Sequence, residues 1–85
     1  MKYICVLTES GRHEVFTFPD TVDHYAMMES LSRIKNKKTY GERTLRVPVS
    51  AGFVLDGECF GQSITLDLKS RPEDTEILKS QNKAH

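Results

Sequence analysis

The sequence predicts an α+β fold in the order β-β-α-β-β-α: a four-stranded, mainly antiparallel sheet, one long helix packed on a face and a short C-terminal helix. Three observations carry this. Residues 44–69 read as two alternating strands joined by Asp56-Gly57, the run from Lys2 to Thr8 is apolar between its ends, and helix-start signals follow Pro19 and Ser70.

Taken in order, 2–8 has a strand's length and no polar face, as expected of a central strand buried on both sides. Glu9-Ser10-Gly11-Arg12-His13 is a polar turn, with His13 as a solvated loop residue. Residues 14–18 return as a second strand, which Pro19 stops. Asp20 or Thr21 is expected to cap a helix over 22–35, because either side chain can accept from an unsatisfied first-turn N–H. Met27, Met28, Leu31 and Ile34 form its apolar stripe, and His24 is the one polar residue aligned with them. His24 reads as a buried, hydrogen-bonded histidine, with a general base or metal ligand as the competing role.

In the first strand of the hairpin Leu45, Val47, Val49, Ala51, Phe53 and Leu55 alternate with other residues. In the second, Phe60, Ile64, Leu66 and Leu68 do so, interrupted by Gln62. Asp-Gly suits a type I′ turn, where both central residues need positive φ. That turn opposes Leu55 to Glu58, Phe53 to Phe60, Val49 to Ile64, Val47 to Leu66 and Leu45 to Leu68, with the apolar pairs on one face. On the other face Arg46 opposes Asp67, Thr44 opposes Lys69 and Val54 opposes Cys59. Between them Ser50, Gly52, Gly61 and Ser63 form a patch almost free of side chains. Such a patch marks a bulge or bend, or else admits another backbone or a ligand; on the second reading these four are candidate binding residues. Pro48 cannot donate to a ladder, so its strand is expected at an edge, or with the missing N–H turned outward. In the tail, Ser70, Pro72 and Glu73 make a capping box for a helix over 71–81 that docks Ile77 and Leu78, with 82–85 fraying. Glu73, Asp74 and Glu76 read as partners of its dipole.

A chain of 85 residues makes one domain, 1–85. Lys and Arg number 12 together, as do Asp and Glu, so no global field draws the chain to nucleic acid or to a membrane. The local exception is 33–46, where Arg33, Lys35, Lys37, Lys38, Arg43 and Arg46 meet only Glu42. The helix dipole absorbs the cations at the helix end. Lys37, Lys38, Tyr40 and Arg43 remain as candidate contacts to nucleic acid or an acidic protein surface. Two cysteines, Cys5 and Cys59, and no long apolar run predict a cytoplasmic protein without a membrane segment. There is no Gly-rich phosphate loop, Cys-x-x-Cys, His-Glu-x-x-His or Gly-x-Ser-x-Gly. Cys59 with His24 is the one thinkable nucleophile and base, and His13, His24 and Cys59 lack metal-ligand spacing. Neither catalysis, a metal nor a cofactor is expected.

The runs His24-Tyr25-Ala26-Met27-Met28-Glu29-Ser30-Leu31, Val47-Pro48-Val49-Ser50-Ala51-Gly52-Phe53-Val54, Cys59-Phe60-Gly61-Gln62-Ser63 and Ser70-Arg71-Pro72-Glu73-Asp74-Thr75 together resemble small accessory proteins carried by tailed phages and prophages of Gram-negative bacteria. The resemblance covers most of the chain. It implies a bacterial host cytoplasm and a macromolecular partner, inhibition of a host defence protein included, and it assigns no residue a role. The expectation is a non-enzymatic protein-binding module whose edge strand also offers a route to a homodimer. The alternative is a nucleic-acid-binding accessory protein using 33–46. A small-ligand-binding protein or a Cys59/His24 enzyme is more distant.

Overall fold

Lys2–Thr8 (β1) is the segment with apolar side chains on both sides, and it takes the place that only such a segment can fill. In the computed structural model, which describes residues 1–33 and 46–83, β1 lies between His13–Phe18 (β2) and Arg46–Leu55 (β3), and Glu58–Phe60 (β4) follows β3. The order is β2-β1-β3-β4 with every neighbour antiparallel. Helix His24–Arg33 (α1) covers one face, where Ile4, Val6, Phe18, Met28, Leu31 and Ala51 form a core. Helix Pro72–Lys83 (α2) covers the other, where Tyr3, Cys5, Val15 and Leu78 form a second. The strand's period of two deals alternate β1 residues to opposite cores, which is why a continuous apolar run is needed there. The α+β class and the four-stranded antiparallel sheet are as predicted, with an added small hairpin of Gln62–Ser63 (β5) and Leu68–Lys69 (β6). The C-terminal helix, expected to be short and frayed from residue 82, instead runs to Lys83 and covers a face of its own.

Helix α1 begins two residues later than predicted, and its cap is Asp23 rather than Asp20 or Thr21. The chain first closes a turn after Pro19, with Val22 N–H donating to the Pro19 carbonyl at 3.0 Å. Asp23 is then the residue whose carboxylate reaches the open Tyr25 N–H, at 3.0 Å. Ile34 and Lys35 lie outside the described residues. Helix α2 also starts one residue late. Arg71 is its cap, Pro72 takes the first helical position, and Asp74 rather than Glu73 reaches back, accepting from Arg71 N–H at 2.9 Å.

The long hairpin is where expectation and structure part. Asp56 and Gly57 adopt φ of 51° and 79°, as a type I′ turn requires, and Leu55–Glu58, Val54–Cys59 and Phe53–Phe60 pair as predicted. Pairing then stops. Gly61, at φ 78°, turns the chain away, and Gln62 and Ser63 pair with Lys69 and Leu68 instead of with β3. Val49–Ile64, Val47–Leu66, Ser50–Ser63 and Arg46–Asp67 do not form, and Thr44 and Leu45 lie outside the described residues. Two local causes are visible. Asp67 N–H donates to the Ile64 carbonyl at 3.2 Å in a tight turn, which lets Leu66 and Leu68 pack against the α1-side core. In β3 the register shifts, so that Cys5 opposes Ser50 while Val6 opposes Pro48. The bulge leaves Val49 unmatched and sends it to the α2 side, while Ala51 faces α1. A single ladder through both would not keep its apolar set on one face. Pro48 is thus in an interior strand rather than an edge strand, tolerated beside the bulge and beyond the reach of the short β4.

At Gly52 the missing side chain is required. A Cβ there would stand 2.3 Å from the Phe60 carbonyl oxygen, so the chain's own backbone at 60–61 lies where the sequence allowed a foreign one. Gly52→Ala is expected to destabilise the protein by roughly 2 kcal/mol or more, since the obstacle is backbone and cannot rotate away. Urea unfolding monitored by circular dichroism measures this; an unchanged midpoint would contradict the packing.

Candidate functional site

The only bend in the sheet's last strand builds a cleft among the described residues. Residues 60–65 swing past the start of β1 and the first turn of α1, leaving an open cleft of about 460 Å³ lined by Lys2, Asp23, His24, Phe53, Phe60, Ile64 and Thr65, with Gly61, Gln62 and Ser63 in its wall. Its floor is fixed. His24 is buried, edge-on to Phe18 and Phe53 with centroids 5.4 and 5.9 Å away, and its Nε2 donates to the Gly52 carbonyl at 2.9 Å. A carbonyl only accepts, so Nε2 carries the hydrogen. Phe53 and Phe60 pack across the hairpin at 6.0 Å. The polar groups at the rim are turned to the protein itself: Lys2 Nζ donates to the Val22 carbonyl at 3.0 Å and Thr65 Oγ1 to Asp23 Oδ1 at 3.4 Å. What faces outward is mainly apolar, with the exposed Gln62 beside it. Phe60 is half exposed and Ile64 is 85 % exposed.

The opposite face holds a dense polar cluster around Asp74. Asp74 is fully buried, and its Oδ2 accepts from Tyr3 O–H at 2.5 Å and from Arg71 N–H at 2.9 Å. Its Oδ1 accepts from Arg71 Nε at 3.1 Å and Nη2 at 2.9 Å. Burial by itself pushes the Asp74 carboxyl up; the hydrogen bonds from Tyr3 and Arg71, with the Ser50 hydroxyl close by, outweigh it and hold the group below the usual carboxylate range. Burial, reinforced by the Asp74 charge, pushes the Tyr3 phenol well above its ordinary value, and the same two causes raise the Cys5 thiol. Burial raises the Cys59 thiol as well. Ser50 Oγ lies beside Asp74 and Cys5, buried and without a partner at good hydrogen-bonding geometry. Thiols raised in this way are poor nucleophiles at neutral pH.

The predicted site residues divide. Ser50, Gly52 and Ser63 are buried, so they are not an exposed patch; the bend at Gly61 replaces the pairing that would have aligned them. Gly61 is exposed in the cleft wall. Ser63 Oγ accepts from Leu66 N–H at 3.2 Å and so shapes the β5–β6 turn. Lys37, Lys38, Tyr40 and Arg43 lie outside the described residues. Arg46 is turned inward, with Nη1 donating to the Leu31 carbonyl at 3.0 Å and its guanidinium 5.8 Å from the Phe16 ring centroid. His24 and Cys59 belong to opposite faces of the sheet and do not meet. Among the described residues no group of three or more His, Cys, Asp and Glu is placed to hold a metal. Sequence reasoning missed the Phe60–Ile64 cleft, whose signal was the polar Gln62 at an expected inward position, and the Asp74 cluster, which has no sequence signature beyond a first-turn acid. Compared with family models, curated proteins and solved structures, the chain matches none.

The buried carboxylate sets a pH dependence. A carboxyl with a depressed folded pKa stabilises the fold above its unfolded value, about 3.9, and this contribution is lost as pH falls below that toward the folded value. Asp74→Asn is expected to lose roughly 3 kcal/mol at neutral pH, because it strips Arg71 and Tyr3 of a charged acceptor. Its stability should also vary less between roughly pH 5 and pH 2, the window set by the reference value. Urea midpoints across that range check both; a variant as stable and as acid-sensitive as the parent would contradict the role of Asp74.

Proposed function

We propose that the protein is a small non-enzymatic binding module that docks a partner protein in the cleft between α1 and residues 60–65. A single observation supports this: Phe60 and Ile64 present apolar surface outward over a concave floor of packed aromatic rings, while Lys2, Thr65 and Asp23 at its rim bond within the chain. Exposed apolar side chains grouped around a concavity are the usual mark of an interaction surface, whereas isolated ones are not. A partner's aliphatic or aromatic side chain seated between Phe60 and Ile64 would remove both from water at about 25 cal/mol per Å² of apolar area.

The finer setting rests on the resemblance to phage and prophage accessory proteins, which points to a host protein, a defence protein among the options, as the partner. Unbridged Cys5 and Cys59 fit a reducing bacterial cytoplasm, and among the described residues no helix is long and apolar enough to cross a membrane. The nucleic-acid alternative draws on 33–46, of which Arg46 is engaged with Leu31 and Phe16.

Capture from bacterial lysate after nuclease treatment tests the proposal, with wild type beside Ile64→Asp and Phe60→Ser. The expected result is a stoichiometric protein partner whose affinity falls roughly tenfold or more in each variant, equivalent to about 1.4 kcal/mol, with unchanged circular dichroism. A partner held equally by all three proteins, or recovery that vanishes with nuclease, would overturn it.

A further inference from the structure

Helix α2 crosses the sheet from β4 to β2, and near each end a side chain reaches the backbone of an outer strand. At β4 the Thr75 hydroxyl accepts from Cys59 N–H at 3.0 Å. At β2 the Gln81 carboxamide bonds twice to one residue. Val15 N–H donates to Oε1 at 2.6 Å, and Nε2 donates to the Val15 carbonyl at 3.0 Å. This reciprocal exchange is the one that a residue of an adjoining antiparallel strand makes. Val15 lies within the six-residue β2, opposite Cys5 on the inner side. The alternation of a β ladder therefore turns the backbone groups of His13, Val15 and Thr17 to the outer edge, while Glu14, Phe16 and Phe18 bond inward to β1.

We propose that Gln81 is an edge stop: it occupies the place on β2 where a second copy of this chain would pair, and so holds β2 closed to antiparallel self-association about Val15. An open strand edge is a template for another strand, and folded proteins block it. Two features select a second copy as the occupant. In a twofold antiparallel pairing centred on Val15, the group that makes the reciprocal exchange is the other copy's own Val15, so the edge is self-complementary, and the Gln81 carboxamide already occupies the position that exchange needs. That register also sets His13 against Thr17 and Glu14 against Phe16, so no like charges oppose each other. The stop is a single side chain in the last turn of α2, released by a local change in that turn rather than by unfolding of the sheet.

Gln81→Ala tests the proposal by removing both bonds. Sedimentation equilibrium is expected to show self-association at least tenfold tighter than for wild type. Adding Thr17→Pro, which deletes an outward N–H at a position where an edge strand tolerates proline, should return the chain to the wild-type state. Gln81→Ala that keeps its circular dichroism and sediments as wild type would overturn the proposal. So would association that Thr17→Pro does not reverse, because another surface would then be responsible. Should Gln81→Ala lose its fold, Gln81→Met carries the same comparison, since it removes both bonds to Val15 and keeps the length and packing of the side chain without adding charge.

Discussion

The Asp74 carboxylate is the constraint on which the rest of the structure depends. Its four hydrogen bonds come from two parts of the chain far apart in sequence: Tyr3 in the central strand, and Arg71 at the cap of α2. A buried charge so placed is tolerable only if every donor is present together, so the start of α2 is pinned to the middle of the sheet. With that end fixed, Ile77 and Leu78 fall on the apolar face formed by Cys5 and Val15, and Gln81 arrives at the edge of β2. One carboxylate thus sets the placement of a whole layer. It also explains why both cysteine thiols on this face are raised: they share the burial, and both feel the same negative charge.

On the other face the governing constraint is steric. Gly52 allows the backbone of 60–61 to lie against the sheet, and its carbonyl holds the buried His24 ring. Gly61 then takes the positive φ that turns the chain out of the ladder, and Phe60 and Ile64 are left looking outward. The cleft is therefore a by-product of ending β4 after three residues. Had the ladder continued to Lys69, Ile64 would have been paired opposite Val49 and no concavity would exist.

Much of the fold was legible because it depended on local patterns. The two-sided apolar run of β1, the Asp56-Gly57 turn, the stripe of Met27, Met28 and Leu31, and Pro72 at a helix start each have a direct physical cause in adjacent residues. The errors came where a pattern of one period was extended past a break. Phe60, Ile64, Leu66 and Leu68 do share parity, but Gln62 between them marks the end of the strand, and Leu66 and Leu68 reach the core by a turn rather than a ladder. The bulge at Val49 has no local signature except Pro48 beside it. The candidate site was less legible still. Gly52 and Gly61 read as a bend or as a place of close approach, and each reading holds at one of them: Gly61 is the bend, while at Gly52 the approaching backbone is the chain's own. Asp74 looked like any first-turn acid, because its partner Tyr3 lies at the other end of the sequence.

The two faces accordingly divide the work: α2 and Asp74 hold the frame, and the α1 face with residues 60–65 carries the surface proposed for docking. Amide NMR of the labelled protein, titrated with the captured partner, tests this division most directly. Perturbations should concentrate at Lys2, Phe60, Gly61, Ile64 and Thr65 and leave the amides of α2 unmoved. Shifts centred on α2, with the 60–65 amides unchanged, would contradict it.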